Sequence, residues 1–327
     1  MARKRIVSGM RPTGKMHLGH LHGALNNWKS LQENYDCFYF IADWHALTSE
    51  YSNTSIIKES TYDIIIDWIT IGLDPDLCTF FIQSHVMEHA ELHLIFSMMT
   101  PLPWLERNPT YKEQLQELTQ RDIYTYGFLG YPVLQAADIL MYKANGVPVG
   151  EDQAPHVEMT REIARRFNHL YGEVFPAPDT LLAPTSKLLG LDRRKMSKSY
   201  NNAIFLSDAK EEVRQKVTRM ITDPQRARRS DPGRPEVCNV FSFHEIYTSG
   251  EKVQQIDQDC RKAAIGCVEC KNIMAENLNI ALEPIREKRR ELEANIDKVK
   301  DIMVRGDERA RSIARETMEE VREVVKI

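Results

Sequence analysis

No stretch of this chain is long and apolar enough to span a bilayer or to form a signal-peptide core. The longest apolar run, Ile64 to Leu73, is interrupted by Asp67, and the basic start Met1-Ala2-Arg3-Lys4-Arg5 is followed by only Ile6-Val7. The expectation is a soluble cytoplasmic protein with no membrane partner. Charge imbalance is missing as well: 43 Lys and Arg stand against 47 Asp and Glu, a net charge of -4. Contact with nucleic acid would therefore have to come from a local patch. Arg219, Arg226, Arg228, Arg229 and Arg234 crowd into one short segment that could supply it, the other reading being a solvated, charged loop. Cysteine is scarce, with six in 327 residues. Cys37 and Cys78 lie in apolar, strand-like runs and read as core residues, while the other four gather toward the C-terminus. In a reducing compartment those four read as metal ligands rather than disulfides. The hydrophobic content of 42% is enough for one large domain and a smaller one.

What the chain does have, as far as about Gly190, is alternation. Ile6-Val7-Ser8, Cys37 to Ala42, Thr79 to Gln83 and Val147-Pro148-Val149 read as strands; Leu18 to Leu31, Ile56 to Leu73, Glu88 to Met99 and Tyr111 to Gln120 read as helices, as does the segment from Gly130 to Tyr142. Such alternation predicts a parallel sheet with helices on both faces and ligands beyond the carboxyl ends of the strands. From about Asp208 onward only helical patterns remain, and the strongly charged stretches Glu283 to Ile296 and Asp307 to Val325 suggest a bundle with solvated outer faces. The apolar stripe of Leu92, Phe96 and Met99 reads as core; left exposed, it would be a subunit interface.

The first strand runs into Ser8-Gly9-Met10-Arg11-Pro12-Thr13-Gly14-Lys15-Met16-His17-Leu18-Gly19-His20. Gly9 and Gly14 allow close backbone approach, and a helix opening near Met16 would point unpaired N–H groups at an anion, with His17 and His20 three apart on its first turn. Lys195-Met196-Ser197-Lys198-Ser199 follows far downstream. Between them, Gly130-Tyr131-Pro132-Val133-Leu134-Gln135-Ala136-Ala137-Asp138-Ile139-Leu140-Met141-Tyr142 places one carboxylate among apolar neighbours, where it needs a partner, either inside the protein or on a ligand.

In this order, His-Leu-Gly-His and Lys-Met-Ser-Lys-Ser resemble the HIGH and KMSKS signatures of class I aminoacyl-tRNA synthetases. The Tyr-Pro...Ala-Ala-Asp-Ile-Leu helix followed by Val147-Pro148-Val149-Gly150-Glu151-Asp152-Gln153 is similar to the bacterial tryptophanyl branch, over Ser8 to Ser199 and compatibly beyond. The resemblance implies an α/β protein: a Rossmann-like, parallel-sheet catalytic domain over 1–190, a mobile loop over 191–204, and an all-helical anticodon-binding domain over 205–327. It implies activation of L-tryptophan by ATP with Mg2+, transfer to tRNA(Trp), and a homodimer. Lys195, Lys198, His17 and His20 would be catalytic. Arg11, Thr13, Gly19, His20, Gly150, Asp152, Lys195, Met196, Ser197 and Lys198 would meet ATP. Gly9, Tyr131, Gln135, Asp138, Val147, Val149 and Gln153 would hold tryptophan, with Asp138 accepting the indole N–H. Threonine and asparagine often stand in the family where this chain has His17 and His20, glutamine where it has Arg11, and methionine where it has Gln135. The alternatives are a tyrosyl enzyme, a catalytically silent RNA-binding paralogue and a small-molecule nucleotidylyltransferase.

The late cysteines form Cys238-x21-Cys260-x6-Cys267-x2-Cys270. Spacing separates a four-thiolate zinc site from a [4Fe-4S] cluster poorly, with unliganded core thiols as the plain alternative. Resemblance to a subset of the bacterial tryptophanyl enzymes, with one residue's difference in the first spacer, implies a [4Fe-4S] cluster near the anticodon-binding surface.

Overall fold

The computed structural model describes residues 3–109, 111–112, 123–183, 188–198 and 200–327. Five strands, β1 (Arg5–Met10), β2 (Asp36–Ile41), β3 (Cys78–Ile82), β4 (Gly146–Val149) and β5 (Asp179–Leu182), form one parallel sheet in the order β3-β2-β1-β4-β5. The helices used below are, in chain order, α1 (Leu18–His20), α2 (Asn26–Leu31), α3 (Asp43–Glu50), α4 (Ser55–Thr70), α5 (Glu88–Met99), α6 (Leu102–Glu106), α7 (Tyr126–Met141), α8 (Ala154–Tyr171), α9 (Lys210–Arg219), α10 (Asn239–Tyr247), α11 (Gly250–Arg261), α12 (Cys267–Ala294) and α13 (Ile296–Val325). Beyond its first two residues, the helix expected over Tyr111 to Gln120 lies outside the described residues.

The chain divides into two compact units, the first comprising Met1–Gly14, Asn26–Thr185 and Asn295–Ile327, the second Lys15–Leu25 and Ser186–Ala294. In the first unit β2 and β3 are buried along nearly their whole length, as strands covered on both faces must be. Gly9 in β1 is required by close approach, since a Cβ there would sit 2.6 Å from the ring of Phe40. The exposed strand β5 was not anticipated, because Asp179 and Leu182 are exposed and no apolar run marks it.

The C-terminal helix corrects the expected boundary. Residues 295–327 do not join the helical remainder but return to the sheet-bearing unit. Ala310, Ala314, Met318 and Val321, spaced along one face of α13, are fully buried in the same core as Phe38 and Phe81. At Gly306 the helix touches β3, where an added Cβ would lie 1.7 Å from the carbonyl oxygen of Phe80. Asp307 then accepts the Ile82 backbone N–H at 2.9 Å, capping the edge of β3, and Arg309 reaches Thr79 at 2.6 Å and Asp36 at 2.7 Å.

The second unit is helical. In it α9 and α10 pack on α12, whose buried stripe is Met274, Ala275, Leu278 and Leu282. Arg286, also buried, donates to the Asp208 carbonyl at 2.8 Å and to Asn279 at 2.7 Å.

Candidate active site

In the sheet-bearing unit, the buried carboxylate of Asp138 gathers donors from three other segments. On Oδ1 it accepts from His89 Nδ1 at 2.6 Å and Gln83 Nε2 at 2.8 Å; on Oδ2 it accepts from His45 Nε2 at 2.7 Å and again from Gln83 at 2.9 Å. Burial by itself would raise the Asp138 pKa, but the bonds from His45 and His89 outweigh it and hold the carboxyl below its ordinary value. His45 comes from α3, His89 from α5 and Gln83 from the turn after β3. The sequence signalled that Asp138 needs a partner and did not identify these three.

Two turns earlier on α7, the Tyr131 hydroxyl lies 2.8 Å from His156 Nε2, while Asn108 donates to His156 Nδ1 at 3.2 Å. With Nδ1 an acceptor, Nε2 carries the proton and donates to Tyr131. Burial, then the nearby His45, pushes His156 down to about 4, and burial raises the Tyr131 phenol above its usual range. Gln135 and Val149 are half-buried and Val147 is buried; Gln153 donates to its neighbour Asp152 at 3.2 Å. Gly150 precedes the short helical turn that carries the exposed Asp152 and the half-buried Gln153, and a Cβ on it would meet Asp152 Oδ1 at 2.7 Å. Arg11 donates to Ser49, and the Thr13 N–H closes a tight turn onto the Arg11 carbonyl at 2.9 Å. The adjacent face of α7, with Gly127, Gly130 and Leu134, opens instead on an apolar cleft of about 340 Å³ whose other wall includes Trp44, Leu47 and Tyr51.

The second unit holds the two signature segments. His17 and His20 stack at 3.6 Å between ring centroids, and the His17 N–H donates to His20 Nδ1 at 3.1 Å. Gly19 N–H donates to Met196 Sδ at 3.3 Å across 177 residues of sequence, and Leu18 N–H donates to the Ile204 carbonyl at 3.0 Å. Asn202 braces the loop by accepting from Ser197 N–H at 2.8 Å and donating to the Lys195 carbonyl at 3.2 Å and to Asp192 at 2.7 Å. Ser199 lies outside the described residues. Burial, then the charge of Lys198, lowers His17 to about 4, and burial with His17, Lys198 and Lys195 takes His20 well below its ordinary value. Both imidazoles are neutral at pH 7, and Lys195 is exposed.

Of the five clustered arginines, two are engaged within the fold: Arg234 clamps Asp223 with bonds of 2.7 and 3.1 Å, and Arg226 donates to the Ile265 carbonyl at 2.7 Å and to Cys260 Sγ at 3.5 Å. Arg219, Arg228 and Arg229 are exposed. Cys238, Cys260, Cys267 and Cys270 are half-buried free thiols. Burial, then the charges of the other three, pushes Cys270 up to about 12; burial, then Cys267, raises Cys238, and burial, then Cys238 and Cys267 against the lowering effect of Arg226, raises Cys260. Cys270 Sγ also lies 3.4 Å from His244 Nε2. Among the described residues no group of three or more His, Cys, Asp or Glu side chains is already arranged to hold a metal ion.

The sequence matches the family of class I tRNA synthetases (W and Y) over residues 2–283. It is 53% identical to the tryptophan–tRNA ligase of Thermotoga maritima, with 99% of each chain covered, and 49% identical to that of Aquifex aeolicus, covering 99% of this chain and 100% of the relative. The fold is similar to the crystal structure of tryptophanyl-tRNA synthetase from Campylobacter jejuni complexed with ADP and tryptophan, with a TM-score of 0.91, 32% identity, and coverage of 99% of this chain and 100% of that one.

Proposed function

The chain belongs to the class I tRNA synthetases for tryptophan and tyrosine, and from that premise we propose how its residues carry the reaction. It is an aminoacyl-tRNA synthetase, a tryptophan–tRNA ligase that activates L-tryptophan with ATP and transfers it to tRNA(Trp). The tryptophan carboxylate attacks the α-phosphorus, the bond to the bridging oxygen breaks, and pyrophosphate leaves with the bonding pair, so no protein nucleophile is needed. His17 and His20, being neutral, donate N–H bonds to the oxygens on which charge grows, and Lys195 and Lys198 hold the departing pyrophosphate as point charges. Mg2+ accompanies ATP and screens its triphosphate. Arg11, Thr13, Gly19, Gly150, Asp152, Met196 and Ser197 contact the nucleotide; Gly9, Tyr131, Gln135, Val147, Val149 and Gln153 surround the amino acid.

One observation carries this reading: the His17–His20 segment and the Lys195–Lys198 loop, remote in sequence, are bonded to each other in one compact unit. Asp138 is the acceptor for the indole N–H. Asp138→Asn is expected to lower the preference for tryptophan over phenylalanine in pyrophosphate exchange by roughly tenfold or more, the size of a hydrogen bond to a charged group. An unchanged preference would remove Asp138 from recognition. A tyrosyl enzyme, the second reading, requires tyrosine to exchange better than tryptophan.

The helical unit binds the anticodon arm, supported by the exposed Arg219, Arg228 and Arg229. Cys238, Cys260, Cys267 and Cys270 are the residues that would hold a [4Fe-4S] cluster, with zinc the alternative. Each thiol whose pKa is shifted feels the charge of others in the quartet, and the buried Nε of Arg226, the arginine bonded to Cys260, has no partner. A metal group there would tie α11 and α12 to the arginine-bearing loop. A homodimer is supported by Met87, Leu94, Met98 and Leu102, which expose large apolar side chains around α5 and α6 while Leu92, Phe96 and Met99 are core. No helix among the described residues is long and apolar enough to cross a membrane.

A further inference from the structure

We propose that His89 and Tyr142 are positioning residues that hold one oxygen of Asp138 in place, and that His45 on the other oxygen is the partner that yields to the indole N–H. The inference rests on the reading of Asp138 as the indole acceptor and assigns different duties to its two oxygens.

His89 lies between Tyr142 and Asp138, with Nδ1 at 2.6 Å from Oδ1 and Nε2 at 2.7 Å from the Tyr142 hydroxyl. Asp138, His89 and Tyr142 are all fully buried. Oδ1 is a carboxylate oxygen and can only accept, so Nδ1 carries a proton; at Nε2 the ring meets the Tyr142 hydroxyl, which burial, followed by the negative charge of Asp138, keeps protonated. Tyr142, His89 and Oδ1 therefore form one hydrogen-bonded chain in which His89 donates to Asp138. Packing restrains the rings. Tyr142 stacks on Phe38 at 5.0 Å and meets the edge of Phe81 at 5.2 Å, and His89 sits 6.0 Å from Phe81 and 6.3 Å from Phe40.

His45 differs. It reaches Oδ2 at 2.7 Å from α3, its side chain retains 11% exposure where that of His89 has none, and it meets Tyr131 edge-on at 6.4 Å. Gln83 binds both oxygens and so does not distinguish them. A single N–H donor entering this site can displace the His45 bond without disturbing the Tyr142–His89–Oδ1 chain, and the fixed oxygen sets the angle at which Oδ2 is presented. Sequence pattern could not assign these roles, because His89 is paired with Asp138 across 49 residues and lies on a different helix.

The test compares tryptophan with β-(benzothiophen-3-yl)alanine, which has nearly the same shape but sulfur in place of the N–H, in pyrophosphate exchange. The wild type is expected to favour tryptophan by roughly tenfold or more in kcat/KM. His89→Phe should bring the two substrates within about threefold of each other, chiefly by raising KM for tryptophan, while His89→Asn, which keeps an N–H donor where Nδ1 stands, should retain most of the preference. Tyr142→Phe, which removes one atom, should lower the preference in the same direction and serves as the measurement if His89→Phe does not fold. Equal losses for both substrates in His89→Phe, or in Tyr142→Phe when it stands in, would mean that these residues only support the core and would overturn the proposal. If Asp138→Asn keeps the full preference, the reading of Asp138 fails and the proposal falls with it; loss in Asp138→Asn with an intact preference in His89→Phe refutes the positioning role alone.

Discussion

At the scale of single residues, imidazoles dominate the chemistry. His17, His156 and His244 are each lowered to about 4, in every case by burial first, while an unfolded histidine titrates near 6.5. Between those values the unfolded chain binds more protons than the folded one, so stability must rise with pH across the interval. The contribution is complete above 6.5 and is lost as pH falls toward 4. His20, His22 and His93 shift the same way, and His85, raised by its bond to Asp307, opposes them singly. Urea midpoints measured from pH 7 to pH 4.5 should begin to fall near 6.5, before ordinary carboxylates titrate, and His156→Gln should make the slope shallower. A flat profile to pH 5 would contradict the neutral imidazoles. The site was partly legible at this scale. Asp138 had to find a partner because a carboxylate among Ala, Ile and Leu cannot remain solvated, yet His45, Gln83 and His89 come from three separate segments and share no local pattern with it.

At the scale of elements, the two ends of the chain differ in how well they could be read. Strands β2 and β3 are legible because a doubly covered parallel strand is a continuous apolar run, and β1 through its buried Ile6-Val7, whereas β5 has no such run. The apolar stripe of α13 was equally visible, but a stripe states that one face is covered and not by what. Gly306 is the residue that decides. Glycine to alanine inside a helix ordinarily stabilises by about 1 kcal/mol. Here the new Cβ would meet the Phe80 carbonyl at 1.7 Å, and the clash outweighs propensity. Gly306→Ala is expected to destabilise by about 3 kcal/mol in urea unfolding, and a neutral or stabilised variant would show that α13 does not pack against β3. In the helical unit, Cys267 and Cys270 lie on the first turn of α12. Protein purified without oxygen should be brown with about four irons per chain, and Cys267→Ser should lose the metal and tRNA charging while leaving tryptophan-dependent pyrophosphate exchange largely unchanged. Colourless protein with stoichiometric zinc would replace the cluster by zinc, and metal-free protein with full tRNA charging would remove the site.

At the scale of the whole molecule, the resemblance to tryptophan–tRNA ligases extends over nearly the full chain and nearly the full length of the relatives, so catalytic and helical parts are accounted for together. The two signatures lie at residues 17–20 and 195–199, and the bonds joining Gly19 to Met196 and Leu18 to Ile204 give that sequence pattern a physical form. The loop could be recognised because its lysines are close together in sequence; the division of the chain could not, because helix-only sequence from about Asp208 onward gives no sign that its last thirty or so residues belong with the sheet. The most direct measurement is amino-acid-dependent exchange of pyrophosphate into ATP, run with each of the twenty amino acids. Tryptophan should drive exchange strongly and tyrosine poorly, and phenylalanine, which leaves the Asp138 carboxylate without a new donor, should be poor as well; exchange driven best by tyrosine, or by no amino acid at all, would contradict the account.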